Sequence, residues 1–275
     1  MPSARVIAIA NQKGGVGKTT TAVSVAACLA ASERRTLLID LDPQGNASSA
    51  LGEAKSPQHV YDALLGECSL ADVAVSTDLD YLKLVPAGPD LVGAEIELVT
   101  TDQRERRLAE CLEAVARDYE YVLIDCAPSL GILTLNALTA AHTILVPLQC
   151  EYYALEGLAR LLETTELVRA SLNPRLSLEG IVLTMVDARN NLSRQVEAEV
   201  REHFGAQVFQ TRIPRNVTLG EAPSHGMPIL LYDIHSRGAV AYLRLTEELL
   251  TNHAATEAPS PEPALPPGGN DERTA

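Results

Sequence analysis

Lysine is scarce in this chain. Only four of its 22 basic residues are lysines, yet two of the four, Lys13 and Lys18, fall within the six residues KGGVGK. Codon bias accounts for a general shortage, whereas two lysines placed so closely read as selected for a task. Positive charge as a whole is short too. A net charge of −14 excludes a protein that coats nucleic acid over its whole surface and leaves room for a local basic face only. No uninterrupted apolar run reaches the roughly 18 residues that span a bilayer. The start, Met1-Pro-Ser-Ala-Arg5, leads straight into strand-like residues rather than a signal peptide, so a cytoplasmic protein without a membrane span is expected. No Cys-x-x-Cys pair occurs among Cys28, Cys68, Cys111, Cys126 and Cys150, and their total is odd. Neither a zinc site nor a disulfide framework is suggested, and buried free thiols are expected. Internal repeats are absent.

What the chain does have is apolar length. With 275 residues, 46% of them hydrophobic, it can bury one substantial core. β-Branched runs at 5–11, 36–40, 81–87, 121–127, 142–148, 179–186 and 206–214 are mostly apolar throughout rather than alternating. Strands buried on both faces read this way. Helical-period segments separate them, at 19–31, 102–117, 154–171, 192–204 and 237–250. The alternation predicts an α/β fold: a doubly wound, mostly parallel sheet flanked by helices in a single domain. That domain is expected over residues 1–251. Residues 252–275, rich in Pro, Ala, Gly and Glu, are expected to be a disordered acidic tail.

The stretch NQKGGVGKTT, residues 11–20, ends like a phosphate-binding loop. Gln12, however, stands where the usual Gly-x-x-x-x-Gly-Lys-[Ser/Thr] spacing puts its first glycine. Strand, glycine turn and helix in succession place Gly14, Gly15, Val16 and Gly17 at a helix N-terminus. There the backbone N–H groups and the helix dipole together make an anion site. Lys18 would reach the β- and γ-phosphates, and the hydroxyl of Thr19, which precedes Thr20 in the loop, would ligate Mg²⁺. The plain alternative is a glycine-rich connector. Asp42, at the end of the second strand, lies where a carboxylate can orient a water against a γ-phosphate. Strand alternation points Asp40 elsewhere, leaving it a supporting or a structural role.

KGGVGKTTT resembles the deviant Walker A motif of the ParA/MinD family of P-loop ATPases. The similarity continues through LLIDLDPQGNASSALG (38–52), YVLIDCAPSLG (121–131), PLQCEYYALEGL (147–158) and IPRNVTLGEAPSHG (213–226), nearest to the chromosomal ParA (Soj) branch. It covers about residues 5 to 250. The resemblance implies slow hydrolysis of ATP with Mg²⁺ held by Thr19 and, in the Walker B position, Asp125. Asp42 would position the attacking water. Lys13 would reach across a nucleotide-sandwich homodimer to the partner's phosphates, so that ATP completes the interface. Pro214 and Asn216 match a segment that contacts adenine, although Asn216 also suits a plain turn. Cys126-Ala127-Pro128 departs from the usual Cys-Pro-Pro and loosens the loop without removing a ligand.

The resemblance further implies sequence-nonspecific binding of double-stranded DNA by the ATP dimer on the nucleoid, with Arg189 as one contact, and a DNA-bound ParB-type activator of hydrolysis. Two departures bear on this. Thr218 and Met227 stand where relatives commonly carry Arg and Lys. Each phosphate contact contributes about −0.9 to the salt-dependence slope, so losing contacts is expected to leave binding weaker and more easily salted off. Arg194, Arg201, Arg212, Arg215 and Arg237 either compensate or are ordinary solvated arginines beside Glu197, Glu199 and Glu202. A MinD-like regulator cycling on a membrane or protein surface is the alternative, disfavoured by the acidic tail. With the phosphate loop so near residue 1, a preceding helix-turn-helix and sequence-specific DNA reading are not expected.

Overall fold

The computed structural model describes residues 4–52, 58–151, 153–187 and 189–257. Among the described residues, eight strands run β1 (Arg5–Ile9), β2 (Thr36–Leu41), β3 (Val75–Ser76), β4 (Leu82–Val85), β5 (Tyr121–Cys126), β6 (Thr143–Gln149), β7 (Ser177–Val186) and β8 (Val208–Pro214). Between and after them lie α1 (Lys18–Ala31), α2 (Asn46–Ala50), α3 (Val60–Leu65), α4 (Leu70–Val73), α5 (Leu91–Glu97), α6 (Arg107–Val115), α7 (Ile132–Ala140), α8 (Ala154–Ser171), α9 (Asn191–Phe204), α10 (Thr218–Glu221), α11 (Ile229–Tyr232) and α12 (Arg237–Glu257). The sheet order is β3-β4-β2-β5-β1-β6-β7-β8, parallel except for the β3–β4 pair. This is the doubly wound α/β sheet that the apolar runs predict.

The uniformly apolar strands serve both faces at once. Val6 and Ala8 of β1, Ile39 of β2 and Val122 and Ile124 of β5 turn to one core, together with side chains of α6, α7 and α8. Their neighbours Ile7, Ile9, Leu38 and Leu123 turn to the other, under α1 and α12. Losing the methylenes of a side chain such as Ile7, which is fully buried, costs about 2–5 kcal/mol in cores of this kind. The β1, β2 and β5 register sets Ile9 and Asp40 on either side of Asp125 at the carboxyl ends of the strands. In a doubly wound sheet this is the end where ligands bind.

Two boundaries differ from expectation. A 3₁₀ turn occupies Arg104–Arg106, so the sixth helix starts at Arg107 rather than at residue 102. The last helix continues through Glu257, six residues beyond the expected domain end at 251. The physical reason is His253, which is buried. Its Nε2 lies 2.7 Å from Glu179 Oε1, its Nδ1 lies 3.1 Å from the Tyr121 hydroxyl, and its ring stacks on Tyr121. The rest of the expected tail lies outside the described residues.

Candidate functional site

The phosphate loop is fastened from outside itself. Asn11, buried at the end of β1, donates from Nδ2 to the Pro147 carbonyl at 2.8 Å and accepts from the Lys13 N–H at 3.0 Å. The Thr184 hydroxyl of β7 donates to the Val16 carbonyl at 2.8 Å. Gly15 and Gly17 adopt φ of +74° and +89°, left-handed values that cost a residue with a Cβ. Gly17 caps α1 without any side-chain hydrogen bond, and no acidic residue occupies the first turn. The N–H groups of a 14-residue helix are thus presented together with its dipole.

Lys18 is buried, and its ammonium donates to the Lys13 carbonyl at 3.0 Å. Burial lowers its pKa, while Asp125 and Asp42 pull it back up. Asp125 is fully buried, and among the described residues neither of its carboxylate oxygens makes a hydrogen bond of full geometry, the Thr19 hydroxyl standing close enough only to favour the charged form. Burial, then the charge of Asp40, pushes its pKa well above the usual carboxylate range; the Thr19 hydroxyl and Lys18 act in the opposite direction. An orphaned, buried carboxylate beside a threonine hydroxyl and a helix N-terminus fits a hard divalent cation with oxygen ligands.

Asp42, buried just past β2, accepts from the Gln44 N–H at 3.0 Å, while its own N–H donates to Asp40 Oδ1 at 3.2 Å. Asp40 corrects an expectation. It does not point elsewhere: it lies opposite Asp125 in the β2–β5 register, and residues two apart along a strand share a face, so Asp40 and Asp42 turn the same way. Its Oδ2 accepts from the N–H and hydroxyl of Ser48 at 2.8 and 2.7 Å, tying the start of α2 to the strand. Burial pushes its pKa up to about 6 against those hydrogen bonds.

A cavity of 340 Å³ adjoins the loop, lined by Gly17, Thr20, Thr184, Met185, Pro214 and Asn216 among others. Asn216 Oδ1 accepts from the Leu219 N–H at 3.3 Å, so the side chain closes a turn while its amide NH₂ stays available as a donor. Lys13 points outward, about two-fifths exposed, and pairs with Glu151 just past β6. Lys13, Lys18, Thr19, Asp42 and Asp125 are thereby gathered at one end of the sheet, with Pro214 and Asn216 beside them.

Arg189 follows the carboxyl end of β7, at the same end of the sheet. It is almost fully exposed and makes a 3.3 Å contact with Asp187. Arg201 and Arg212 share Glu197 Oε1 at 2.9 and 3.0 Å, and Arg201 also donates to the Phe209 carbonyl, so Arg201 is a structural residue. Arg237 lines a surface groove with Arg212, Arg244 and His235.

Four positions escaped sequence reasoning: Asn11, Thr184, Glu151 and Met185, whose φ of +51° is unusual outside glycine. Only Asn11 carried a local signal, as the polar residue that ends an apolar strand before the loop.

A family model described as an AAA domain matches residues 4–178. The chain is 56% identical to the chromosome partitioning protein ParA of Myxococcus xanthus, over 90% of this chain and 88% of that protein. It is 55% identical to the sporulation initiation inhibitor protein Soj of Bacillus subtilis, over 90% and 99% respectively. Among solved structures it resembles a cobyrinic acid a,c-diamide synthase of Mycobacterium smegmatis with bound ADP and magnesium, with a TM-score of 0.81, 40% identity and coverage of 92% and 97%. With those relatives and this phosphate loop, the chain belongs to the ParA/MinD family of deviant Walker A P-loop ATPases, in its ParA (Soj) branch.

Proposed function

We propose that the protein is a chromosome- or plasmid-partitioning ATPase, switched by ATP between a free and a DNA-bound form. The observation that carries the nucleotide part is Asp125, buried and unpartnered next to the uncapped N-terminus of α1. Lys18 and the loop N–H groups receive the phosphates of ATP. Thr19 and Asp125 hold Mg²⁺, which neutralises phosphate charge. Asp42, fixed by its contacts with Gln44 and Asp40, orients the attacking water. Pro214 and Asn216 flank the base in the adjoining cavity.

Lys13 exchanges Glu151 for the phosphates held by a second copy, so dimerisation depends on ATP. The ATP dimer binds double-stranded DNA without sequence preference, with Arg189 as one contact, and a DNA-bound ParB-type partner stimulates slow hydrolysis and release. The protein then works in the cytoplasm, on the nucleoid. Relatives at 55–56% identity, named for chromosome partitioning and for Soj, support this over the synthase-like neighbour at 40%. They also favour it over a MinD-like membrane cycle.

The test is binding to a random-sequence duplex without nucleotide, with ADP and with ATP. Binding is expected with ATP only, prolonged in Asp42→Ala, abolished in Lys13→Ala through lost dimerisation, and weakened in Arg189→Ala. Absence of ATP-dependent binding at low salt, with dimerisation intact, sinks the DNA reading.

A further inference from the structure

At the opposite end of the sheet from the phosphate loop, a groove of about 690 Å³ opens at the amino ends of β1, β5, β6 and β7. Arg5, Arg34, Arg35, Arg117 and Arg175 line it, and the end of α12 forms one wall through Leu250 and His253. Glu120 answers Arg34 at 3.0 Å and Arg35 at 3.9 Å, and Glu179 lies buried behind the wall against His253. Among the described residues, Arg117 and Arg175 are exposed and have no carboxylate within ion-pair distance. In a chain of net charge −14, five arginines against two carboxylates form a local basic face. The field reaches His142, whose pKa is lowered by burial and then by Arg175 and Arg5.

We infer that this groove is a second contact site for the phosphate backbone of double-stranded DNA, one helical turn from Arg189. The inference rests on the DNA-binding reading above. Arg175 precedes and Arg189 follows the ten-residue β7, which at about 3.3 Å per residue spans roughly 33 Å. One turn of duplex measures about 34 Å, so a backbone returns to the same face at the second site. The two ends share a helix: Arg237 and Arg244 of α12 line the groove beside β8, while Leu250 and His253 of the same helix line the lower one. The guanidinium fork suits phosphate oxygens. Because the groove lies at the amino ends of the strands, a dimer closed over nucleotides at their carboxyl ends leaves it open. It also answers the departure at Thr218 and Met227, by supplying phosphate contacts from elsewhere on the chain.

The experiment is fluorescence anisotropy with ATP on a random-sequence duplex of about three turns, over roughly 50–200 mM salt. It compares wild type, the double variant Arg117→Ala/Arg175→Ala and Arg189→Ala. The double variant should show a salt slope shallower by about 1.8 for each subunit whose groove engages the duplex. Its ATPase rate and ATP-dependent dimerisation, read by sedimentation, should match wild type. If wild type binds with ATP and Arg189→Ala weakens it while the double variant keeps the wild-type slope, the groove is not a DNA contact. If wild type itself shows no ATP-dependent binding, the DNA reading fails first. Loss of polyglutamate binding in the double variant with duplex binding unchanged would assign the groove to an acidic protein partner and overturn the inference.

Discussion

Asp125 is a residue whose cost to the folded chain shows what it is for. A buried carboxylate with no hydrogen-bond partner costs about 1–3 kcal/mol when charged. Selection would remove it unless a ligand offset the cost, as site residues often trade stability for function. The sign of the pH effect follows from its raised pKa. Between the ordinary value of 3.8 and the higher folded value, the native state holds a proton that the unfolded chain releases. Stability is therefore lost as pH rises through that window. Asp40, pushed up to about 6 by burial, adds loss in the same direction. Asp125→Asn removes the first contribution. Without nucleotide, the variant should be more stable than wild type by about 1–3 kcal/mol near pH 8, the two converging near pH 4, in chemical denaturation. With Mg²⁺ and ATP the order should reverse, because wild type alone gains the full binding energy. A variant less stable than wild type at pH 8 without nucleotide would show that the orphaned charge is not a liability.

Helices and strands differed in how much of themselves the sequence displayed. β1, β2, β5 and β6 were legible because burial on both faces leaves one mark, an unbroken apolar run ending at a polar residue. α7 was hidden for a related reason: in ILTLNALTA the polar Thr134, Asn136 and Thr139 are buried along with the apolar residues, so it has no helical stripe to detect. β3 is two residues long at the antiparallel edge, and its identity depends on β4. In the site, Lys18, Thr19 and Asp125 were legible because strand, turn and helix fix their places locally. Glu151 and Thr184 were not, because each meets the loop across more than a hundred residues of chain. The end of α12 failed for the same reason: Asn252-His-Ala-Ala255 reads as tail until Glu179 and Tyr121 are brought to His253. Burial raises the Glu179 pKa, but hydrogen bonds from His253 and Thr143 more than offset it and leave the group below its usual range. A chain ended after residue 257 should keep wild-type stability, whereas one ended after residue 251 should lose about 1–3 kcal/mol, because Glu179 stays buried without His253. The deficit should fade as pH falls through the folded pKa of Glu179, where its contribution is lost in both chains. Equal urea midpoints for the two truncations at pH 7 would place the domain end at 251 after all.

For the molecule as a whole, two steps of the proposed cycle respond to salt in opposite directions. Each subunit carries a net charge of −14, and bound ATP adds more negative charge at the face that must meet its copy. Such like-charged bodies repel over about 10 Å at 0.1 M ionic strength, and farther in dilute buffer. Lys13 counters this repulsion only at close range, after its pairing with Glu151 is broken. Raising salt should therefore tighten the ATP dimer. DNA binding runs the other way: each arginine on a phosphate releases counterions, and affinity falls with a slope of about −0.9 per contact. Sedimentation with ATP should show the dimer constant improving from low to physiological salt, while duplex affinity of the preformed dimer falls steadily. At protein concentrations near the dimer constant, DNA occupancy should then pass through a maximum at intermediate salt. Asp42→Ala, which separates dimerisation from hydrolysis, is the variant in which to measure it. A dimer that weakens as salt rises would mean that the contacts of Lys13 with the partner's phosphates outweigh the repulsion of the whole. DNA occupancy should then fall monotonically from the lowest salt upward.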